Sequence, residues 1–168
     1  MAYRSLLAGH DEPDAGQVEP GYGLKLGYYA QEHETLDMNQ SVLDNMKSAA
    51  PNLDETSART VLGSFLFSGD DVYKPAAVLS GGEKTRLALA TLVVSGANVL
   101  LLDEPTNNLD PASREEILAA IRGYEGAIVL VTHDAGAVQA LDPDRVLILP
   151  DADEDIWSDD YLELVELA

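Results

Sequence analysis

Apolar positions along this chain fall into short blocks divided by Gly, Pro and acidic residues, and the spacing inside each block predicts its element. Leu6 to Gly9 reads as a helix end closed by glycine. Asp11 to Gly23 is rich in Asp, Glu, Pro and Gly and predicts a loop or hairpin. Leu24 to Tyr29 alternates weakly, as a strand does, and Gln31 follows directly. Ser41 to Ala50 predicts a helix with Ser41 as N-cap and Asp44 at the third helical position, a weak capping box. Thr56 to Phe67 sets Val61, Leu62, Phe65 and Leu66 at helical spacing. A turn over Gly69 to Lys74 and Pro75 lead into Leu79-Ser80-Gly81-Gly82-Glu83, after which Leu87, Leu89, Ala90, Leu92 and Val93 continue as a long helix.

Asn98 to Leu102 reads as a buried strand, and Pro111 opens a helix that runs to Ile121. Ala127 to Val131 reads as another buried strand, ending at Thr132-His133-Asp134. A helix from Asp134 to Ala140 and a strand from Arg145 to Leu149 follow. Strands alternating with helices predict an α/β fold, a mostly parallel sheet flanked by helices. The segment Asp151 to Ala168 carries eight acids and no base, interrupted by Trp157, Tyr161, Leu162, Leu164, Val165 and Leu167. That pattern predicts a short docked acidic helix.

Composition narrows the setting. At 168 residues the chain suggests one domain with a real core. It has no cysteine, so disulfides and thiolate metal sites are excluded, and a reducing, cytoplasmic compartment is the simplest expectation. No apolar stretch approaches a membrane span and no signal peptide opens the chain. The formal net charge of −20, with scattered basic residues, argues against extended binding of this segment to a phosphate backbone.

The candidate chemistry lies in one spacing. Leu79 to Glu83 stands about twenty residues ahead of an apolar run ending in Asp103-Glu104-Pro105. A Gly-rich turn that opens a helix offers backbone amides to phosphate. A buried strand ending in two carboxylates delivers acids to a site at its C-terminal end. One acid suits Mg²⁺ and the next suits activation of water. Each feature alone is ordinary; their order and spacing point to nucleotide hydrolysis. No Gly-x-x-x-x-Gly-Lys-Ser/Thr occurs in the chain, so the phosphate-cradling P-loop is not among these residues and half of an ATP site is expected.

Four pieces stand in one order: Gln31 after a strand, the turn at 79–83, the acids at 103–104, and His133 after another strand. This order resembles the nucleotide-binding cassette of the ABC ATPases. Leu79 to Glu83 resembles the signature motif, Val99 to Glu104 resembles Walker B with its catalytic glutamate, and Asn108-Leu109-Asp110 resembles the D-loop. Gln31 resembles the Q-loop glutamine and His133 the switch histidine. The runs LSGGEKTRLALA and LLLDEPTNNLDP, with Tyr28-Tyr29-Ala30-Gln31-Glu32-His33-Glu34, are similar to the ABC-F branch, whose members carry two cassettes on one chain and no membrane domain.

The resemblance implies a C-terminal cassette over residues 1–150 that lacks its N-terminal strands and P-loop, with a helical subdomain at about 41–95 and an acidic C-terminal segment at 151–168. It implies ATP and Mg²⁺ as ligands. Asp103 would orient Mg²⁺, Glu104 would act as general base, and the Gln31 amide would touch Mg²⁺ or the attacking water. His133 would hold the γ-phosphate through a ring N–H, and Ser80, Gly81, Gly82 and Glu83 would form the nucleotide-binding turn. Asp110 would reach across a dimer interface, or cap the helix at Pro111, or both. Lys84 and Arg86 read as solvated. The implied partners are a second cassette and the ribosome, the isolated chain being weakly active or inactive. The alternatives are the ATPase subunit of an ABC transporter, whose membrane domain would lie on another chain, and a non-enzymatic interaction fragment. Heads of the SMC type are more remote, because no coiled-coil heptads flank the motifs.

Overall fold

The structure is a computed structural model and describes residues 2–29, 35–149, 151 and 153–167. After a short helix α1 (Ala2–Leu7), three strands form a parallel sheet in the order β1 (Leu26–Tyr29), β2 (Val99–Asp103), β3 (Ala127–Val131). The register sets Tyr29 beside Leu102 and Asp103 beside Val131. β2 is the central strand and is buried from Leu100 to Asp103, as its unbroken apolar run requires. Asn98 does not begin that strand. Its side chain accepts a hydrogen bond from the Lys25 backbone N–H (2.8 Å) and donates to the Gly23 carbonyl (2.9 Å), pinning the start of β1 to that of β2.

β3 departs from its expected burial. Its residues alternate between exposed and half-buried, and Val129 is 41% exposed. The reason is position: among the described residues β3 is one of the sheet's two edge strands, and no helix packs on it as closely as α4 packs on the other, β1. β4 (Arg145–Ile148) also lies outside the parallel sheet. It pairs antiparallel with β5 (Asp153–Ile156), a strand where a helix was expected. The register places Glu154 opposite Leu147 and Asp155 opposite Val146, so the acids face no like charge across the pair, and Arg145 binds Glu154 at 2.8 Å. Among the described residues of the acidic segment, a single 3₁₀ turn and then α7 (Leu162–Leu167) are helical.

Helices cover the sheet. α2 (Val42–Ala49) starts at the predicted cap, with the Ser41 hydroxyl accepting the Asp44 N–H. Its buried Asn45 is fully engaged: the amide donates to the carbonyls of Asp37 and Ser41 at 3.0 Å and accepts the Asp37 N–H at 2.9 Å. α3 (Glu55–Ser64) stops before the expected Phe67, because Leu66 turns left-handed at φ +64°. That turn buries Phe65 and Phe67 on either side of it. α4 (Gly81–Val94) is the best buried helix, with Leu87, Ala88, Leu89 and Ala90 packed into the core beneath α2 and the sheet. α5 (Pro111–Arg122) and α6 (Ala135–Leu141) follow β2 and β3 and pack on each other.

Candidate active site

The C-terminal ends of β2 and β3 create the site. Parallel pairing carries Asp103 and Glu104 to the same level as Thr132 and His133. Asp103 is 8% exposed at the end of β2. Glu104 leaves the strand at φ +48°, a backbone conformation that costs a residue with a Cβ about 1–3 kcal/mol. Its N–H is held by the Val131 carbonyl at 2.9 Å. The turn aims its carboxylate at the loop after β3. There Oε2 accepts the Thr132 hydroxyl at 2.9 Å, and Oε1 accepts the His133 backbone N–H at 3.1 Å. The His133 ring Nδ1 lies 2.8 Å from the same Oε1. A carboxylate can only accept, so this contact assigns the proton to Nδ1 and leaves Nε2 as the ring's other polar atom. The His133 side chain is 60% exposed and that of Glu104 only 16%, so the histidine is the outward member of the pair.

A second cluster lies behind it. Asp134 caps α6, its Oδ1 accepting the Gly136 and Ala137 N–H groups at 3.0 and 3.3 Å. Its Oδ2 accepts the buried Thr106 hydroxyl at 3.0 Å and pairs with Arg114 at 3.1 Å. Beside this cluster opens a cleft of about 350 Å³, lined by Thr106, Asn107, Arg114, His133, Asp134 and Gly136. Thr106, Arg114, Thr132 and Asp134 were not singled out from the sequence. A hydroxyl flanking His133 and another just after Glu104 were the only local hints, since the contacts join segments 28 residues apart.

The glycine turn is built by α4. Ser80 is its N-cap, and a complete capping box holds it: the Glu83 carboxylate accepts the Ser80 N–H at 2.8 Å, and the Ser80 hydroxyl accepts the Glu83 N–H at 3.2 Å. The Ser80 backbone N–H beside Glu83 holds its carboxyl below the ordinary range. Gly81 faces open space, whereas a Cβ on Gly82 would stand 2.9 Å from the Asn108 carbonyl oxygen. The structure therefore sets the turn against the segment 107–110. Asp110 caps α5, its carboxylate accepting the Ser113 N–H at 3.1 Å and the Ser113 hydroxyl at 2.6 Å. Those bonds, the hydroxyl first, lower its pKa. Capping is thus realised within the chain. Gln31 lies outside the described residues.

Among the described residues no group of three or more His, Asp or Glu side chains gathers as a self-sufficient metal cage. A divalent cation here would meet the buried carboxylate of Asp103 rather than a full set of protein ligands. That suits Mg²⁺, which keeps several waters and takes one or two carboxylates together with substrate phosphates. The arrangement offers one buried acid for such an ion, one oriented carboxylate for a water, and an exposed imidazole for an anion.

Known proteins share this pattern. The sequence pattern of the family described as ABC transporter matches residues 4–107. A "Putative ATP-binding protein YdiF" of Bacillus subtilis is 45% identical over 150 residues, which cover 89% of this chain and 23% of the relative. The "ATP-binding cassette sub-family F member 3" of Mus musculus is 38% identical over 77% of this chain and 18% of its own length. Among solved structures, an archaeal ribosome recycling factor in complex with archaeal ribosomal stalk protein aP1 superposes with a TM-score of 0.68 at 28% identity, covering 85% of this chain and 28% of that one. The chain therefore spans about a quarter of the length of the curated relatives it matches. No described helix is long and apolar enough to cross a membrane. Motif order, parallel sheet and relatives agree: the chain belongs to the ABC transporter family of ATP-binding cassettes, on the side of its ABC-F type members.

Proposed function

We propose that the protein carrying this chain hydrolyses ATP, and that these residues contribute the Walker B acids, the signature turn and the switch histidine to its site. The observation that carries this reading is the Glu104 carboxylate, fixed at the end of the central strand by Thr132 and His133 and adjacent to buried Asp103. In this reading Glu104 accepts the proton of the attacking water. Three of the roughly four acceptor positions of a carboxylate are already filled, so one remains for that water. Asp103 would hold Mg²⁺, which when bound neutralises phosphate charge. His133 faces outward, and in the doubly protonated ring Nε2–H can donate to an anionic group while Nδ1–H stays on Glu104. The Ser80, Gly81, Gly82 and Glu83 turn would present its open side to a triphosphate held elsewhere, with the Asn108 carbonyl close against Gly82. Gln31 completes the set by resemblance. The triphosphate cradle has to come from residues other than these, as the missing P-loop pattern demands.

For a partner we infer a second cassette and, beyond it, the ribosome. Support comes from the ABC-F relatives and from the solved relative captured with a ribosomal stalk protein. The charge of −20 assigns RNA contact to parts of the protein outside this segment. The test is co-sedimentation. The complete protein carrying Glu104→Gln should pellet with ribosomes when ATP is present, and the 168-residue chain should stay in the supernatant at physiological salt. Co-purification of the complete protein with a membrane protein, and none with ribosomes, would establish the transporter reading instead.

A further inference from the structure

Thr132 has no role of its own in the chemistry assigned above, yet its side chain holds the far oxygen of Glu104. We propose that Thr132 is a positioning residue for Glu104, and that Asp134, Thr106 and Arg114 form the anchor behind it. The inference rests on the reading of Glu104 as the base.

The geometry follows from a single proton. A threonine hydroxyl has one proton to donate and two acceptor sites. Thr132 accepts the Asp134 backbone N–H at 3.0 Å and donates to Glu104 Oε2 at 2.9 Å. The accepted bond fixes the hydroxyl, so its proton is committed to the carboxylate. Asp134 in turn cannot drift. Its carboxylate is engaged by four donors: the Gly136 and Ala137 amides, the Thr106 hydroxyl and the Arg114 guanidinium. Thr106 lies two residues beyond Glu104 on the same turn and is 1% exposed. Segments 104–106 and 132–134 are therefore cross-linked by two threonine hydroxyls besides the His133 contacts, and Arg114 ties α5 to Asp134. Glu104 needs such support, because its backbone is left-handed and its side chain is long. His133 supports Oε1, but its ring is the exposed member of the pair. Thr132 keeps the carboxylate oriented whichever way that ring turns.

The test uses the complete protein and steady-state ATP hydrolysis. Thr132→Val keeps the shape and removes the proton; it should lower kcat on the order of tenfold and leave KM for ATP within about twofold. Thr132→Ser restores the hydroxyl and should return kcat to within about twofold of the parent. Thr106→Val breaks the anchor without touching Glu104 and should lower kcat several-fold; it carries the test if Thr132→Val does not fold. In a Glu104→Gln background, Thr132→Val and Thr106→Val should leave residual turnover unchanged, because both act only through the carboxylate. Unchanged kcat in Thr132→Val, or an equal loss with and without Glu104, overturns the proposal. Near-normal turnover by Glu104→Gln alone overturns the base assignment, and the positioning role with it.

Discussion

Gly81 and Gly82 are adjacent in the same first turn of α4, yet alanine should shift stability in opposite directions at the two positions. Both have ordinary backbone angles for an L residue. Replacing a helical glycine by alanine narrows the unfolded ensemble and stabilises by about 0.4–1 kcal/mol where the site has room. Gly81 has room, since nothing lies within 4 Å of its ideal Cβ. Gly82 does not: its Cβ would meet the Asn108 carbonyl oxygen at 2.9 Å, a backbone atom that cannot swing aside as a side-chain tip can. Overpacking of this kind costs about 1–3 kcal/mol, more than the entropic gain. The net expectation is about 1 kcal/mol lost at Gly82 and about 0.5 kcal/mol gained at Gly81. With a urea slope of about 2 kcal/mol/M, the midpoints should move by about 0.5 M down and 0.25 M up. Equilibrium urea unfolding followed by circular dichroism measures both. A Gly82→Ala variant at least as stable as the parent would show that the turn does not bear on the 107–110 segment as described.

Other consequences are equally concrete. Asn45→Ala should lower stability by about 2–4 kcal/mol, because it leaves the Asp37 N–H and two carbonyls without their partner in a buried site; a urea midpoint close to the parent's contradicts this. Asp110 has a folded pKa lowered by Ser113, so the unfolded chain binds more protons in the acid range and the cap's contribution is lost as pH falls. The stability gap between the parent and Asp110→Ala should be complete above the unfolded value of about 3.9 and shrink as pH drops below it towards the folded value. A gap that widens in acid would refute the capping assignment.

Much of this architecture is local and therefore legible. The apolar run of β2, the Ser41 cap and the Ser80-Gly81-Gly82-Glu83 turn each carry their own signal in neighbouring residues, and each forms where the spacing places it. The end of α3 was not legible, because Leu66 takes a left-handed turn that the sequence marks with no glycine. The exposure of β3 and the β4–β5 pairing were not legible either. They depend on what stands beside each strand, and an apolar run reads the same at an edge as at a centre. Asp103, Glu104 and His133 were recognisable as candidates; the Thr132 hydroxyl on Glu104, and the Thr106 hydroxyl and Arg114 guanidinium on Asp134, were not. Thr106, Arg114 and Thr132 act through contacts between distant segments, and neither periodicity nor spacing encodes those.

The central claim is that Glu104 is the base of an ATP-hydrolysing site, and one variant tests it most directly. Glu104→Gln in the complete protein keeps the shape of the side chain and removes its ability to take a proton. Hydrolysis of ATP should fall by on the order of a hundredfold or more, as for loss of a positioned general base, while ATP stays bound and is recovered intact after rapid gel filtration. Near-normal hydrolysis, or loss of ATP binding together with turnover, would contradict the assignment.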